Sequence, residues 1–149
     1  MAEELLCTFF IDKFFLGIEV AKVQEVLLCQ QMTRVPLASW EIRGLINLRG
    51  QIVTAIDLRR RMELPDIDTH PNPVNVVVRS HHEEVVSLLV DKIGDVIEVA
   101  EKNFEGPPET LQGTLRTLLR GVYKLNGKLL LVLDPDKITE IPAPKQQTT

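Results

Sequence analysis

Few residues in this sequence have the types and spacing that covalent chemistry requires. His81-His82-Glu83-Glu84 sets four metal-ligating residue types in a row. Consecutive side chains on an extended chain point to opposite faces, so the run reads as a polar turn and not as a metal site. Gly121 and Gly127 followed by Lys128 resemble a phosphate-binding loop. Five residues separate the glycines, one more than that motif allows, and Leu129 stands where a Ser or Thr must hold magnesium. Cys7 and Cys29 have no paired ligand pattern and read as structural thiols. Asp57 and Asp134 are candidate carboxylates, but each precedes a helix-like stretch, and helix capping accounts for both. No Gly-x-Ser-x-Gly elbow and no His-Glu-x-x-His occurs. The expectation is a protein with no catalytic residue, no metal and no cofactor, one that works by binding.

Composition narrows what it binds. The chain has 149 residues, 44% apolar and 26% charged, an ordinary globular balance that rules out wholesale disorder. Its longest apolar run, Leu129 to Leu133, is far too short to span a bilayer, so no direct membrane insertion is expected. The acidic start Met1-Ala2-Glu3-Glu4 is unlike a secretory leader, and two cysteines make no disulfide framework, which together suggest a cytoplasmic protein with reduced thiols. A net charge of −4 and only seven aromatic residues disfavour nucleic acid. The charge is uneven. Residues 41–62 carry five Arg against two acids, whereas residues 83–109 carry eight acids against two Lys. Such polarity suits protein partners, with ordinary solvated surface as the alternative.

An internal repeat organises the chain. RGLINLRGQIVTAIDL at 43–58 matches RGVYKLNGKLLLVLDP at 120–135, with Arg43, Gly44, Leu48, Gly50 and Asp57 each recurring 77 positions later. Asp12-Lys13 with Ile18-Glu19-Val20 recurs as Asp91-Lys92 with Ile97-Glu98-Val99, at an offset of 79. The pattern predicts two β-rich halves, about 9–66 and 74–141, that share a core. Hairpins are expected at Leu5–Ile11 with Phe14–Ile18, at Arg43–Leu48 with Gln51–Ile56, at Val74–Arg79 with Val85–Val90, and around Asn126-Gly127, where both turn residues tolerate positive φ. Val20, Val23 and Leu27 at i, i+3, i+7 predict a helix. The proline-rich stretch 65–73 reads as a loop, and 142–149 as a frayed tail.

Val35-Pro36, Ile42-Arg43-Gly44-Leu45-Ile46-Asn47-Leu48-Arg49-Gly50 and Ile56-Asp57-Leu58-Arg59 resemble the signature of the CheW family, the adaptor proteins of bacterial and archaeal chemotaxis. Lys22-Val23-Gln24-Glu25-Val26-Leu27, Asp91-Lys92-Ile93-Gly94-Asp95-Val96 and Arg120-Gly121-Val122 are similar to its other segments. The resemblance runs from about Phe9 to Ile138. Thr54 stands where proline is common, and residues 109–119 fit loosely. It implies a mainly β fold of two small five-stranded, Src-homology-like β-barrels packed on a shared core with short helices, within one CheW-like domain over 1–149. It also implies a non-catalytic adaptor that couples the cytoplasmic tip of methyl-accepting receptors to the regulatory domain of the histidine kinase CheA. Such an adaptor is cytoplasmic and recruited to membrane-associated receptor arrays. The length leaves no room for a kinase, phosphotransfer or receiver domain.

By the same resemblance, Val23, Glu25, Val26, Arg49, Val76 and Val96 border the receptor groove, and Arg43, Gly44 and Ile52 contact the kinase. Core packing is the competing reading for the valines, a backbone requirement for Gly44, and an internal salt bridge to Glu25 or Asp57 for Arg49. The competing function is a small-barrel oligonucleotide-binding protein, for which a basic face and strand aromatics would be required.

Overall fold

The computed structural model describes residues 3–28, 30–65 and 73–141. Cys29, the tail 142–149 and most of the expected 65–73 loop lie outside the described residues. In chain order the elements are β1 (Glu3–Ile11), β2 (Phe14–Glu19), a 3-10 turn (Val20–Lys22), β3 (Val23–Leu27), β4 (Ile42–Leu48), β5 (Gln51–Asp57), α1 (Leu58–Arg61), β6 (Val74–Arg79), β7 (Val85–Val90), β8 (Lys92–Ala100), a second 3-10 turn (Glu101–Asn103), β9 (Phe104–Glu105), α2 (Thr114–Leu118), β10 (Leu119–Leu125), β11 (Lys128–Leu133) and α3 (Pro135–Thr139). No helix among the described residues is long and apolar enough to cross a membrane.

The strands form two mixed sheets, ordered β8-β1-β2-β11-β10-β9 and β3-β6-β7-β5-β4. Neither ladder closes on itself, so these are curled open sheets and not the closed five-stranded barrels that the family resemblance implied. The halves also interleave. The first sheet takes β1 and β2 from the first half and the rest from the second, and the second sheet mixes them the other way. The chain crosses between sheets after β2 and again after β7. Parallel pairing of β11 with β2 and of β5 with β7 then stitches the halves together.

One apolar cluster fills the space between the sheets. It joins Phe9, Ile11, Leu16 and Leu131 of the first to Ile56, Val76, Val78 and Leu88 of the second, with Leu115, Leu118 and Ile138 from α2 and α3. Each sheet also wraps a small core of its own. Leu6, Val99, Tyr123, Leu130 and Val132 lie inside the first, and Ile46, Leu48, Val53, Ala55 and Val77 inside the second.

The 77-residue repeat is structural. β4–β5 and β10–β11 are hairpins with two-residue turns, and both carry a β-bulge at the repeated Arg, 43 and 120. Both end at a capping aspartate. Asp57 accepts from the Arg60 backbone N–H at 3.2 Å and Asp134 from that of Asp136 at 3.0 Å. The 79-residue match is not structural. Asp12-Lys13 forms the β1–β2 turn, whereas Asp91 marks the crossover from β7 to β8. The two aspartates nonetheless meet, because the Asp12 N–H donates to Asp91 Oδ2 at 2.8 Å.

Two local expectations change. The helix over Val20 to Leu27 stops after one 3-10 turn, and Val23–Leu27 becomes a strand on the outer edge of β6, with Val26 opposite Val76. Val23, Glu25 and Leu27 are half-buried while Gln24 and Val26 are exposed, a period of two imposed by the open edge of β6. At the second repeat turn only Gly127 is left-handed, with φ +71; Asn126 is not. The type with both residues left-handed forms instead at Arg49 and Gly50, with φ +53 and +86. An added Cβ at Gly127 meets no neighbouring atom, so Gly127→Val costs only the backbone strain, about 1–2 kcal/mol. A thermal melt reads this as a drop of several degrees; no drop removes the turn assignment.

Candidate protein-docking face

Sheet curvature builds the face. β3 and β4 lie at opposite edges of the second sheet, yet Leu27 of β3 packs on the cluster that holds Ile46 and Leu48 of β4. The curl brings the β4–β5 turn back to β3. There Arg49 Nη1 pairs with Glu25 Oε2 at 2.8 Å, so of the two internal partners open to Arg49 the structure selects Glu25. The Arg49 side chain remains 77% exposed, while Glu25 is largely covered, and Glu25 Oε1 is buried with no hydrogen-bond partner among the described residues. A half-satisfied carboxylate beside an exposed guanidinium is an arrangement that a partner's donors and acceptors can complete.

The other predicted site residues divide. Val26 is exposed next to Glu25, and Val23 is half-buried against the core. Val96 is 60% exposed on β8, at the edge of the other sheet. Val76 is 0% exposed, locked in the core between the sheets, and so leaves the candidate face. It shares a face of the ladder with its partner Val26, but β6 lies inside its sheet, so Val76 is covered by the cluster between the sheets while Val26 at the edge is not. Of the three expected kinase contacts, Arg43 and Ile52 are exposed. Gly44 is buried, because an added Cβ would stand 2.6 Å from the Thr33 carbonyl oxygen that pairs with this strand. The close approach makes Gly44 a packing requirement, the competing reading for this residue.

The basic run 41–62 is mostly consumed inside the fold. Arg43 and Arg60 share Asp57 at 3.3 and 3.6 Å. Arg59 pairs with Asp91 at 2.5 Å, and Arg61 donates to the carbonyls of Lys137, Ile138 and Glu140 at the end of α3. These arginines tie α1 to the crossover and to its repeat partner. The second-half bulge arginine does likewise. Arg120 pairs with Glu4 at 2.5 Å and Glu19 at 3.3 Å, and the Tyr123 hydroxyl donates to Glu4 Oε2 at 2.5 Å. Sequence reasoning missed this network, since Glu4 lies 116 positions from Arg120.

Burial, with the Glu4 carboxylate next, pushes the Tyr123 phenol up to about 12. A raised folded-state value favours the neutral phenol. Its contribution is complete below the unfolded value near 10 and is lost as pH rises through about 12. Tyr123 is the sole tyrosine, so ultraviolet titration of the native protein reads it directly. The expected result is a phenolate midpoint well above that of the unfolded chain, and coincident midpoints would refute the network. The Cys7 thiol is buried, and burial raises its pKa. Among the described residues no group of His, Cys, Asp or Glu is placed to hold a metal ion.

The face consists of curled sheets, an exposed Arg-Gly turn and edge valines, and it rests on the repeated Arg-Gly hairpins. A CheW-like domain model matches residues 6–142. The chain belongs to the CheW family. It is 29% identical over 137 residues to a chemotaxis protein CheW of Bacillus subtilis, covering 92% of this chain and 87% of that one. It is 32% identical over 122 residues to a CheW of Klebsiella aerogenes, covering 82% and 73%. The crystal structure of a scaffolding CheW from Thermoanaerobacter tengcongensis superposes with a TM-score of 0.86 at 22% identity, over 99% of this chain and all of that one. That likeness shows a shared fold; in the 109–119 stretch, where the sequence resemblance is loose, this chain forms α2.

Proposed function

We propose that this protein is a non-catalytic adaptor of a chemotaxis array, linking the cytoplasmic tip of methyl-accepting receptors to the regulatory domain of the kinase CheA. Family membership over residues 6–142 carries the reading. The two curled, open sheets supply the scaffold of such an adaptor. Glu25, Val26 and Arg49, with Val96 on the neighbouring sheet, form the receptor side; Val23 supports them from below. Arg43 and Ile52 form the kinase side. A chain that presents both sets of residues holds both partners, and no catalytic group is needed. Oligonucleotide binding is not favoured, because the strand phenylalanine Phe9 is buried in the core and the arginines of residues 41–62 are paired internally.

The test combines this protein, a receptor cytoplasmic fragment and CheA. Kinase autophosphorylation is expected to rise only when all three are present, and the protein alone is expected to hydrolyse no nucleotide. Receptor control of the kinase that is equal with and without this protein would overturn the adaptor reading.

A further inference from the structure

β2 and β11 run parallel as neighbours, so the β1–β2 turn and the β10–β11 turn stand side by side at one end of the first sheet. Between them lies a hollow of about 400 Å³, within the range of roughly 300–1,000 Å³ that small-molecule sites occupy. Phe10, Phe14, Phe15, Leu111 and Leu129 wall it, and each is half-buried. Phe10 and Phe15 lie opposite each other in the ladder with ring centres 5.0 Å apart. Lys13 and Lys128 line the same hollow, and no acid does. The Lys13 ammonium stands 5.7 Å from the centre of the Phe14 ring, and that of Lys128 stands 5.6 Å from the centre of Phe15. Lys92, opposite Phe10 on β8, holds its ammonium 5.9 Å from that ring. None of these three ammoniums makes an ion pair or hydrogen bond with a described residue. Lys22 and Lys124, by contrast, pair with Glu19 and Glu105, and Lys137 donates to the Leu119 carbonyl. Asp91, next to Lys92 in sequence, pairs with Arg59 and accepts from the Asp12 N–H instead.

We propose that this hollow binds a free medium-chain fatty acid, its alkyl chain against the phenylalanines and leucines and its carboxylate on Lys13 and Lys128. Charge complementarity selects the occupant. A wall of rings and alkyl groups, with ammoniums beside it and no counter-charge, matches a long apolar body that carries one anionic end. Both lysines are exposed, so their stems cover the rings while their charges stay in water and meet the carboxylate there. A peptide fits this wall less well, because its backbone N–H and C=O groups would find no partner on it. A bilayer is gripped by protruding apolar groups, and none of the five wall residues is among the exposed large hydrophobics. Inorganic phosphate would leave the apolar wall uncovered.

Calorimetric titration of the intact protein at neutral pH tests this, with hexanoate, octanoate and decanoate below their micelle concentrations. Decylammonium, decanol, inorganic phosphate and phosphatidylglycerol vesicles are the comparison probes. The expected result is one saturable site for decanoate, its affinity falling about three- to fourfold for each CH2 removed, which is the transfer value of one buried CH2. Decanol is expected to bind about tenfold more weakly, because it lacks the charge that the ammoniums meet. Lys13→Glu and Lys128→Glu are each expected to weaken decanoate about tenfold or more. Both lysines are exposed and pair with no described acid, so the melts of these variants are expected to stay near that of wild type. Lys102→Glu makes the same change in net charge at an exposed residue that does not line the hollow, and it is expected to bind decanoate as wild type does. No saturable decanoate binding, an affinity indifferent to chain length, equal binding of decanol or decylammonium, full competition by phosphate, preference for the vesicles, or an equal loss in Lys102→Glu each overturns the proposal. The assay contains neither receptor nor kinase, so its outcome is separate from that of the adaptor test.

Discussion

Gly121→Val is expected to lower stability by about 3 kcal/mol or more, a fall in melting temperature of roughly 10 °C. Gly121 follows the bulge on β10, where short β9 crosses closely. A Cβ there would overlap the Phe104 ring and stand 2.5 Å from the Glu105 carbonyl oxygen. The ring could rotate away, but the carbonyl is backbone, and moving it breaks the β9–β10 pairing. Phe104 also packs edge-on against Tyr123 at 5.2 Å and lies under Arg120 at 4.8 Å, so its displacement loosens the Glu4 network as well. Gly106→Ala is the control, since nothing lies within 4 Å of its added Cβ. A Gly121→Val melt as high as that of the control would show that the close approach carries no energy.

Arg49→Asn separates fold from function. It copies the second repeat, where Asn126 holds the equivalent position. At φ +53 an arginine is strained by about 1–2 kcal/mol, and asparagine tolerates that region far better. The pair with Glu25 that is lost joins a 77% exposed side chain to a mostly covered one and contributes about 0–1 kcal/mol. Strain relief therefore matches or exceeds the lost pairing, and the melting temperature should hold or rise slightly. Receptor affinity should fall by about 1–3 kcal/mol, roughly 5- to 150-fold, because the partner loses a charged hydrogen-bond donor and Glu25 is left half-buried and unpaired. Kinase binding should persist, since Arg43 and Ile52 are untouched. A variant that melts well below wild type yet binds receptor normally would make Arg49 a structural residue.

Local signals were legible in the sequence because short-range physics decides them. Alternating apolar runs set β1, β2, β4 to β7, β10 and β11. The repeated aspartates set both helix caps, and the Arg-Gly…Asp recurrence set two equivalent hairpins. The family followed from the same residues, because its signature lies on a hairpin whose bulge and glycine are demanded by geometry.

Long-range geometry decided the rest. Whether Val23 to Leu27 became helix or strand depended on the open edge of β6, some 50 residues away along the chain. Val76 and Val26 look alike in sequence. They differ because β6 lies inside its sheet and β3 lies at an edge, so one valine enters the core and the other meets solvent. The basic run read as a field for partners, until folding supplied Asp57, Glu25, Asp91 and the carbonyls of α3 to absorb it. Arg34, outside that run, makes no ion pair with any described residue. Sequence fixes which groups a residue offers to its neighbours, and only the crossing of the two halves determines which neighbours arrive.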